Sequence, residues 1–136
     1  MPKRVLVVDD DPEARDFMRA CLADQGFEVV EAATEGEAFD RLAERVPCLI
    51  CLDLMLPDSS GLDVCERLAR VPGLRDVPVL VISARRLPQD RAMAAAMGAT
   101  GYLTKPLTPQ GLVAQVHAVL AARRSEEVPL SLTLAR

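Results

Sequence analysis

The sequence predicts an α/β domain in which a parallel β-sheet is covered by helices on both faces. Three observations lead there. Short aliphatic runs alternate with helical patterns five times, and alternating strand–helix units fold as parallel sheets with right-handed crossovers. Several runs are almost purely Val, Leu and Ile, as strands buried on both faces require. Four of them end on chemically demanding residues: Val5-Leu6-Val7-Val8 on Asp9-Asp10-Asp11, Cys48-Leu49-Ile50-Cys51-Leu52 on Asp53, Val79-Leu80-Val81-Ile82 on Ser83, and Gly101-Tyr102-Leu103-Thr104 on Lys105-Pro106. The carboxyl ends of the strands in an open parallel sheet share one edge, and that edge is where ligands bind.

The first strand is expected at about residues 3–9. The helix after it starts at Pro12, with Asp11 as N-cap and proline in the favoured first position. Phe17, Met18, Cys21 and Leu22 recur at helical spacing, and Gly26 closes the helix. Phe27 to Glu31 forms the second strand. The second helix carries Ala38, Phe39, Leu42, Ala43 and Val46 on one stripe before Pro47. The third strand is Cys48 to Asp53, followed by the turn residues Pro57-Asp58-Ser59-Ser60-Gly61. Leu62, Cys65, Leu68 and Ala69 mark the third helix, which ends near Pro72-Gly73. Val77 to Ser83 is the fourth strand, and Gln89 to Met97 an Ala-rich, weakly amphipathic fourth helix. After a short fifth strand, Thr108 caps a last helix with the stripe Leu112, Val113, Val116, Val119 and Leu120.

A chain of 136 residues makes one domain with room for a real core. The expected division is a domain over 1–124 and a C-terminal tail or truncated linker over 125–136, because Glu126-Glu127-Val128-Pro129 breaks the last helix. Aromatics are only 3% of the residues, so the core is aliphatic. The net charge is −4, and no basic cluster is interleaved with aromatics, which argues against direct nucleic-acid binding. No apolar run has membrane-spanning length and no signal peptide precedes the first strand, so a cytoplasmic location is expected. Cys48 and Cys51 spell C-x-x-C, but a strand would turn their side chains to opposite faces, and the one histidine, His117, offers no second ligand pair. All four cysteines read as reduced core residues.

At the expected sheet edge, three or four carboxylates meet a hydroxyl and an ammonium. Clustered carboxylates repel one another unless they share a proton or a cation, and an all-oxygen set suits a hard divalent ion. Asp11 reads as the helix cap. Asp9 and Asp10 read as site residues, since adjacent acids after a buried strand carry a repulsion that capping alone does not require.

The stretches Val7-Val8-Asp9-Asp10-Asp11-Pro12, Asp53-Leu54-Met55-Leu56-Pro57-Asp58-Ser59-Ser60-Gly61, Val81-Ile82-Ser83-Ala84 and Gly98-Ala99-Thr100-Gly101-Tyr102-Leu103-Thr104-Lys105-Pro106 together resemble the receiver domain of bacterial response regulators in two-component signalling, over about residues 3 to 123. The resemblance implies a flavodoxin-like, doubly wound five-stranded sheet in the order 2-1-3-4-5, with two of its five helices on one face and three on the other. It implies that Asp53 accepts a phosphoryl group from a sensor histidine kinase or phosphotransfer protein. Mg²⁺ would be held by Asp10, Asp53 and the Met55 backbone carbonyl, with Asp9 reaching it through water. Lys105 and Ser83 would contact the phosphoryl oxygens. Ser83 and Tyr102 would form the switch to the surface of the fourth helix, fifth strand and fifth helix, read by an output domain or downstream protein.

Such a domain is a signalling phosphoacceptor that assists its own phosphotransfer and autodephosphorylation. A homodimer is one option, but the acidic pair that precedes the tyrosine in the winged-helix subfamily is replaced by Thr100-Gly101, so that subfamily's salt-bridged dimer lacks support. A haloacid-dehalogenase-type enzyme would want a second Asp where Met55 stands. A flavodoxin-like or dinucleotide-binding module would want a Gly-rich or hydroxyl-rich phosphate loop where Asp9-Asp10-Asp11 stand.

Overall fold

The computed structural model of the chain describes residues 2–126. Ten elements alternate along it: β1 Arg4–Val8, α1 Pro12–Asp24, β2 Glu28–Ala32, α2 Glu35–Glu44, β3 Leu49–Leu52, α3 Gly61–Arg70, β4 Val79–Ser83, α4 Pro88–Ala96, β5 Gly101–Thr104 and α5 Pro109–Glu126. The strands form one parallel sheet in the order β2-β1-β3-β4-β5. Alternation along each strand splits the core in two. Val5, Val7, Leu49, Cys51, Leu80 and Ile82 point to the side covered by α1 and α5, where Met18, Leu22, Leu112 and Val116 meet them. Leu6, Val8, Ile50, Leu52 and Val81 point to the side of α2, α3 and α4, against Ala38, Leu42, Val64, Leu68 and Ala94. Two helices thus cover one face and three the other.

The helix starts follow the sequence signals. Asp11 accepts from the Glu13 N–H and Pro12 opens α1. Thr34 caps α2 and Ser60 caps α3 through their hydroxyls. Thr108 accepts from the Gly111 N–H at the start of α5.

Several expected boundaries move, each for a backbone reason. β2 begins one residue later because the Phe27 N–H is held by the Leu22 carbonyl at the end of α1. β4 begins at Val79 because the Val77 N–H closes a turn on Leu74 and Pro78 has no N–H to give. α2 stops at Glu44; Val46 beyond it is exposed, Ala43 inside it faces solvent, and both leave the expected stripe. Val46 precedes Pro47, a position that disfavours helix, and Arg45 is already extended at φ −165°. In α3, Val64 is buried together with the expected Cys65 and Leu68, while Ala69 is exposed. α5 runs on to Glu126, past the 124/125 division; residues 127–136 of the expected tail lie outside the described residues.

The cysteine reading also needs correction. Cys51 and Cys65 are buried, whereas Cys21 and Cys48 are half-buried. Cys48 precedes β3, and its side chain packs against the same core cluster as Cys51 instead of facing the opposite side. All four are free thiols.

Candidate functional site

The sheet places its reactive residues by ordinary ladder hydrogen bonding carried one residue past the strands. Asp9 N–H donates to Ala32 O at 3.0 Å, Asp53 N–H to Val8 O at 2.9 Å and Lys105 N–H to Ser83 O at 2.9 Å. Asp9, Asp53, Ser83 and Lys105 therefore gather at one edge, from four strand ends.

Lys105 ties them together. Its Nζ lies 2.7 Å from Asp9 Oδ2 and 3.0 Å from Asp53 Oδ2. The second oxygen of each carboxylate accepts a backbone N–H: Asp11 N donates to Asp9 Oδ1 at 2.9 Å, and Met55 N to Asp53 Oδ1 at 3.0 Å. Asp9 is 1% exposed and Asp53 7%. Asp10 is exposed, and among the described residues no hydrogen bond or ion pair engages its carboxylate. Oxygens of Asp9, Asp10 and Asp53 lie within 4.8 Å of one another.

Three carboxylates face one ammonium, so two negative charges stay uncompensated. Burial pushes the Asp53 carboxyl above the usual carboxylate range, opposed by the Met55 N–H and Lys105 and reinforced by the charge of Asp9. Burial works against the Lys105 ammonium too, but its bonds to Asp9 and Asp53 outweigh burial and hold its pKa above the ordinary lysine value. The two directions are compatible because Lys105 draws on two carboxylates while Asp53 shares one ammonium with a like-charged neighbour. The donor set is hard oxygen throughout and carries an unspent charge of the right sign, which fits a divalent cation such as Mg²⁺. Met55, two residues after Asp53, is exposed on the loop that follows it.

Ser83 is fully buried at the end of β4, and its Oγ accepts from the Arg85 N–H at 3.3 Å. Tyr102 approaches the edge through its hydroxyl, which is within side-chain hydrogen-bonding reach of Ser83. It pairs with Val81 within the sheet, and its half-buried ring sends the hydroxyl to the Arg85 carbonyl at 2.8 Å. The Arg91 guanidinium carbon stands 4.9 Å from the centre of that ring. Ser83 and Tyr102 are thus linked through the backbone of one residue, Arg85.

Three supporting residues escape sequence reasoning. Arg15 donates through Nη1 to the Asp9 carbonyl at 2.6 Å and through Nε to Glu31 at 3.1 Å, fixing the acidic turn from α1. Asp58 accepts from the Glu35 and Gly36 N–H groups, tying the loop after Asp53 to the start of α2. Gly61 lies so close to that loop that a Cβ would stand 2.5 Å from Leu54 Cα and 2.6 Å from Asp53 O. Asp58 and Gly61 left a trace as members of a turn-rich stretch, whereas Arg15 left none.

Known proteins share this fold and its sequence pattern. The response regulator receiver domain profile matches residues 5–117. The phosphate regulon transcriptional regulatory protein PhoB of Escherichia coli K12 is 40% identical over 120 residues, covering 88% of this chain and 52% of that protein. The response regulator MprA of Mycobacterium sp. strain KMS is 37% identical over 129 residues, 95% of this chain and 55% of its own length. The chain therefore spans about half the length of these curated relatives. A receiver domain crystal structure from Methanospirillum hungatei JF-1 superposes with a TM-score of 0.84 at 26% identity, covering 93% of this chain and 99% of that one.

Proposed function

The chain belongs to the response regulator receiver domain family, and from that premise we propose that Asp53 accepts a phosphoryl group from the phosphohistidine of a sensor histidine kinase or a phosphotransfer protein. An Asp53 carboxylate oxygen attacks phosphorus, the P–N bond breaks, and its electron pair returns to the imidazole. Phosphoryl transfer depends on positioning and charge neutralisation more than on covalent help. Lys105 shifts from the Asp53 carboxylate to the phosphoryl oxygens, and the Ser83 hydroxyl donates to one of them. Mg²⁺ held by Asp10, Asp53 and the Met55 carbonyl, with Asp9 acting through water, would supply the remaining neutralisation.

The observation that carries this reading is the Lys105 ammonium shared between Asp9 and Asp53, with the Asp10 carboxylate beside them. Incubation with Mg²⁺ and acetyl phosphate should add a single phosphoryl mass, labile at high pH. Asp53→Asn should remove it; equal labelling of the variant overturns the assignment.

The chain is a signalling domain of a two-component system, so the outcome of phosphorylation is a change of surface. Ser83 turning toward a phosphoryl group gives up the Arg85 N–H. That frees the Arg85 backbone, which also holds the Tyr102 hydroxyl. A new charge-assisted hydrogen bond is worth about 1.5–3 kcal/mol, enough to move a balanced pair of states. The affected surface is the α4-β5-α5 face, read by an output domain or partner protein. Met55 and Arg85 flank the acyl phosphate and set the rate of its autodephosphorylation. The receiver is assigned to residues 1–124, working in the cytoplasm; among the described residues no helix is long and apolar enough to cross a membrane. A beryllofluoride complex should bury Tyr102 and shift resonances on that face, and a complex without either change overturns the switch while leaving the phosphoacceptor untouched.

A further inference from the structure

Charge is divided unevenly along this chain. No aspartate or glutamate stands between Arg91 and Ser125, a stretch that takes in most of α4, all of β5 and nearly all of α5. Residues 84–125 hold Arg85, Arg86, Arg91, Lys105, Arg123 and Arg124 against Asp90 alone, a net +5, while the rest of a chain totalling −4 carries −9. Asp90 is buried and locally engaged: it accepts from Arg85 Nε at 3.0 Å and from the Leu87 N–H at 3.1 Å.

Arg86 and Arg91 have no carboxylate partner among the described residues. Their guanidinium groups rest on neutral oxygens along β5 and its end. Arg86 Nη2 donates to the Lys105 carbonyl at 3.1 Å. Arg91 donates to the Tyr102 carbonyl at 3.4 Å and to Thr104 Oγ1 at 3.1 Å. Both side chains are thereby held in place without being neutralised. Beside them Leu87, next to Arg86 and one helical turn before Arg91, is 54% exposed. Immobilised cations next to an uncovered aliphatic side chain make a surface without its complement.

A second copy is a poor complement. A two-fold interface sets the same patch against itself, and here that places arginine against arginine with no free acid to intervene. Nucleic acid is a poor one too, since phosphates make no use of Leu87 and meet repulsion from the strongly acidic remainder. We propose that the β4–α4 loop, α4 and the outer edge of β5 bind an acidic, amphipathic segment of a partner protein. Its carboxylates pair with the planar forks of Arg86 and Arg91, and an apolar side chain of it covers Leu87. The inference rests on the receiver reading, since it names the partner of the face assigned there to output.

The test uses the full chain and short synthetic helical peptides, with binding followed by fluorescence anisotropy and amide shifts. One peptide alternates Leu and Glu on opposite faces, a second replaces every Glu by Gln, and a short double-stranded DNA serves as the nucleic-acid probe. The Glu peptide should bind about tenfold or more tightly than the Gln peptide, weaken with added salt, and shift residues 85–105. Arg86→Glu with Arg91→Glu should abolish that preference, and Arg86→Lys with Arg91→Lys should retain most of it. Equal binding of the two peptides, tighter binding of the DNA, self-association through this face in sedimentation, or an unchanged preference in the charge-reversed variant overturns the inference. Acetyl phosphate labelling of Asp53 is measured in parallel on the same proteins. Its failure in the native sequence sinks the phosphoacceptor reading; normal labelling with no peptide preference sinks the acidic partner alone.

Discussion

Asp53 carries a cost that its neighbours only partly offset. Its folded-state pKa is raised, by burial first, so the native state binds the proton more readily than the unfolded chain. Stability therefore falls as pH rises through the window that opens at the ordinary value of 3.8 and closes at the higher folded value. Above that window the penalty is present in full. Asp53→Asn, which imitates the protonated form, should raise the melting temperature of the cation-free protein at neutral pH and lose that advantage in acid. A variant less stable than the native chain at neutral pH contradicts the sign. The thiols separate in the same way by burial. Cys51 and Cys65, pushed up to about 12 and about 11, should resist a bulky thiol reagent until unfolding, while half-buried Cys21 and Cys48 react sooner. Uniform labelling of all four would contradict this. The residues gathered at the sheet edge were legible in the sequence because each stands where an aliphatic run stops. Arg15 was not, because the carbonyl it holds comes from another turn of the chain.

At the scale of elements, the loop between β3 and α3 governs where Asp53 points. It is pinned by the Gly61 N–H to the Leu54 carbonyl at 2.8 Å, by the Met55–Ser60 bridge and by Asp58 on α2. Gly61→Ala forces a methyl group onto backbone atoms that cannot step aside. It should cost about 1–3 kcal/mol in stability and slow phosphoryl acceptance, both read by denaturant titration and single-turnover labelling. Unchanged stability would mean that α3 can start elsewhere. Element order and type were readable from periodicity, whereas ends were decided by single hydrogen bonds, as with Phe27 and Val77. The end of α2 was the exception: Pro47 was visible, and its effect on Val46 follows from sterics alone.

For the molecule as a whole, the uncompensated charge at the sheet edge links folding to cations. Anything that binds the native state alone stabilises it by RT ln(1 + [L]/Kd), so Mg²⁺ should raise the melting temperature progressively. Asp10→Asn should lose most of that response without lowering the stability of the cation-free protein, since it removes a repelling charge that no partner holds. A full response in that variant moves the cation elsewhere. The division of charge between an acidic body and a basic α4-β5-α5 face was already in the sequence, but only the strand order assembles that stretch into one surface.

Lys105 sits 52 residues after Asp53 and 96 after Asp9, yet bonds to both. A chain growing from its amino end displays Asp53 long before it gains this counter-charge, and β5, which positions Lys105, pairs only with β4. On the proposed function, a chain still on the ribosome, or a fragment clipped ahead of β5, would carry the phosphoacceptor without the ammonium that steadies a phosphoryl oxygen. Phosphoryl acceptance is then expected late in synthesis and all at once, with the arrival of Lys105.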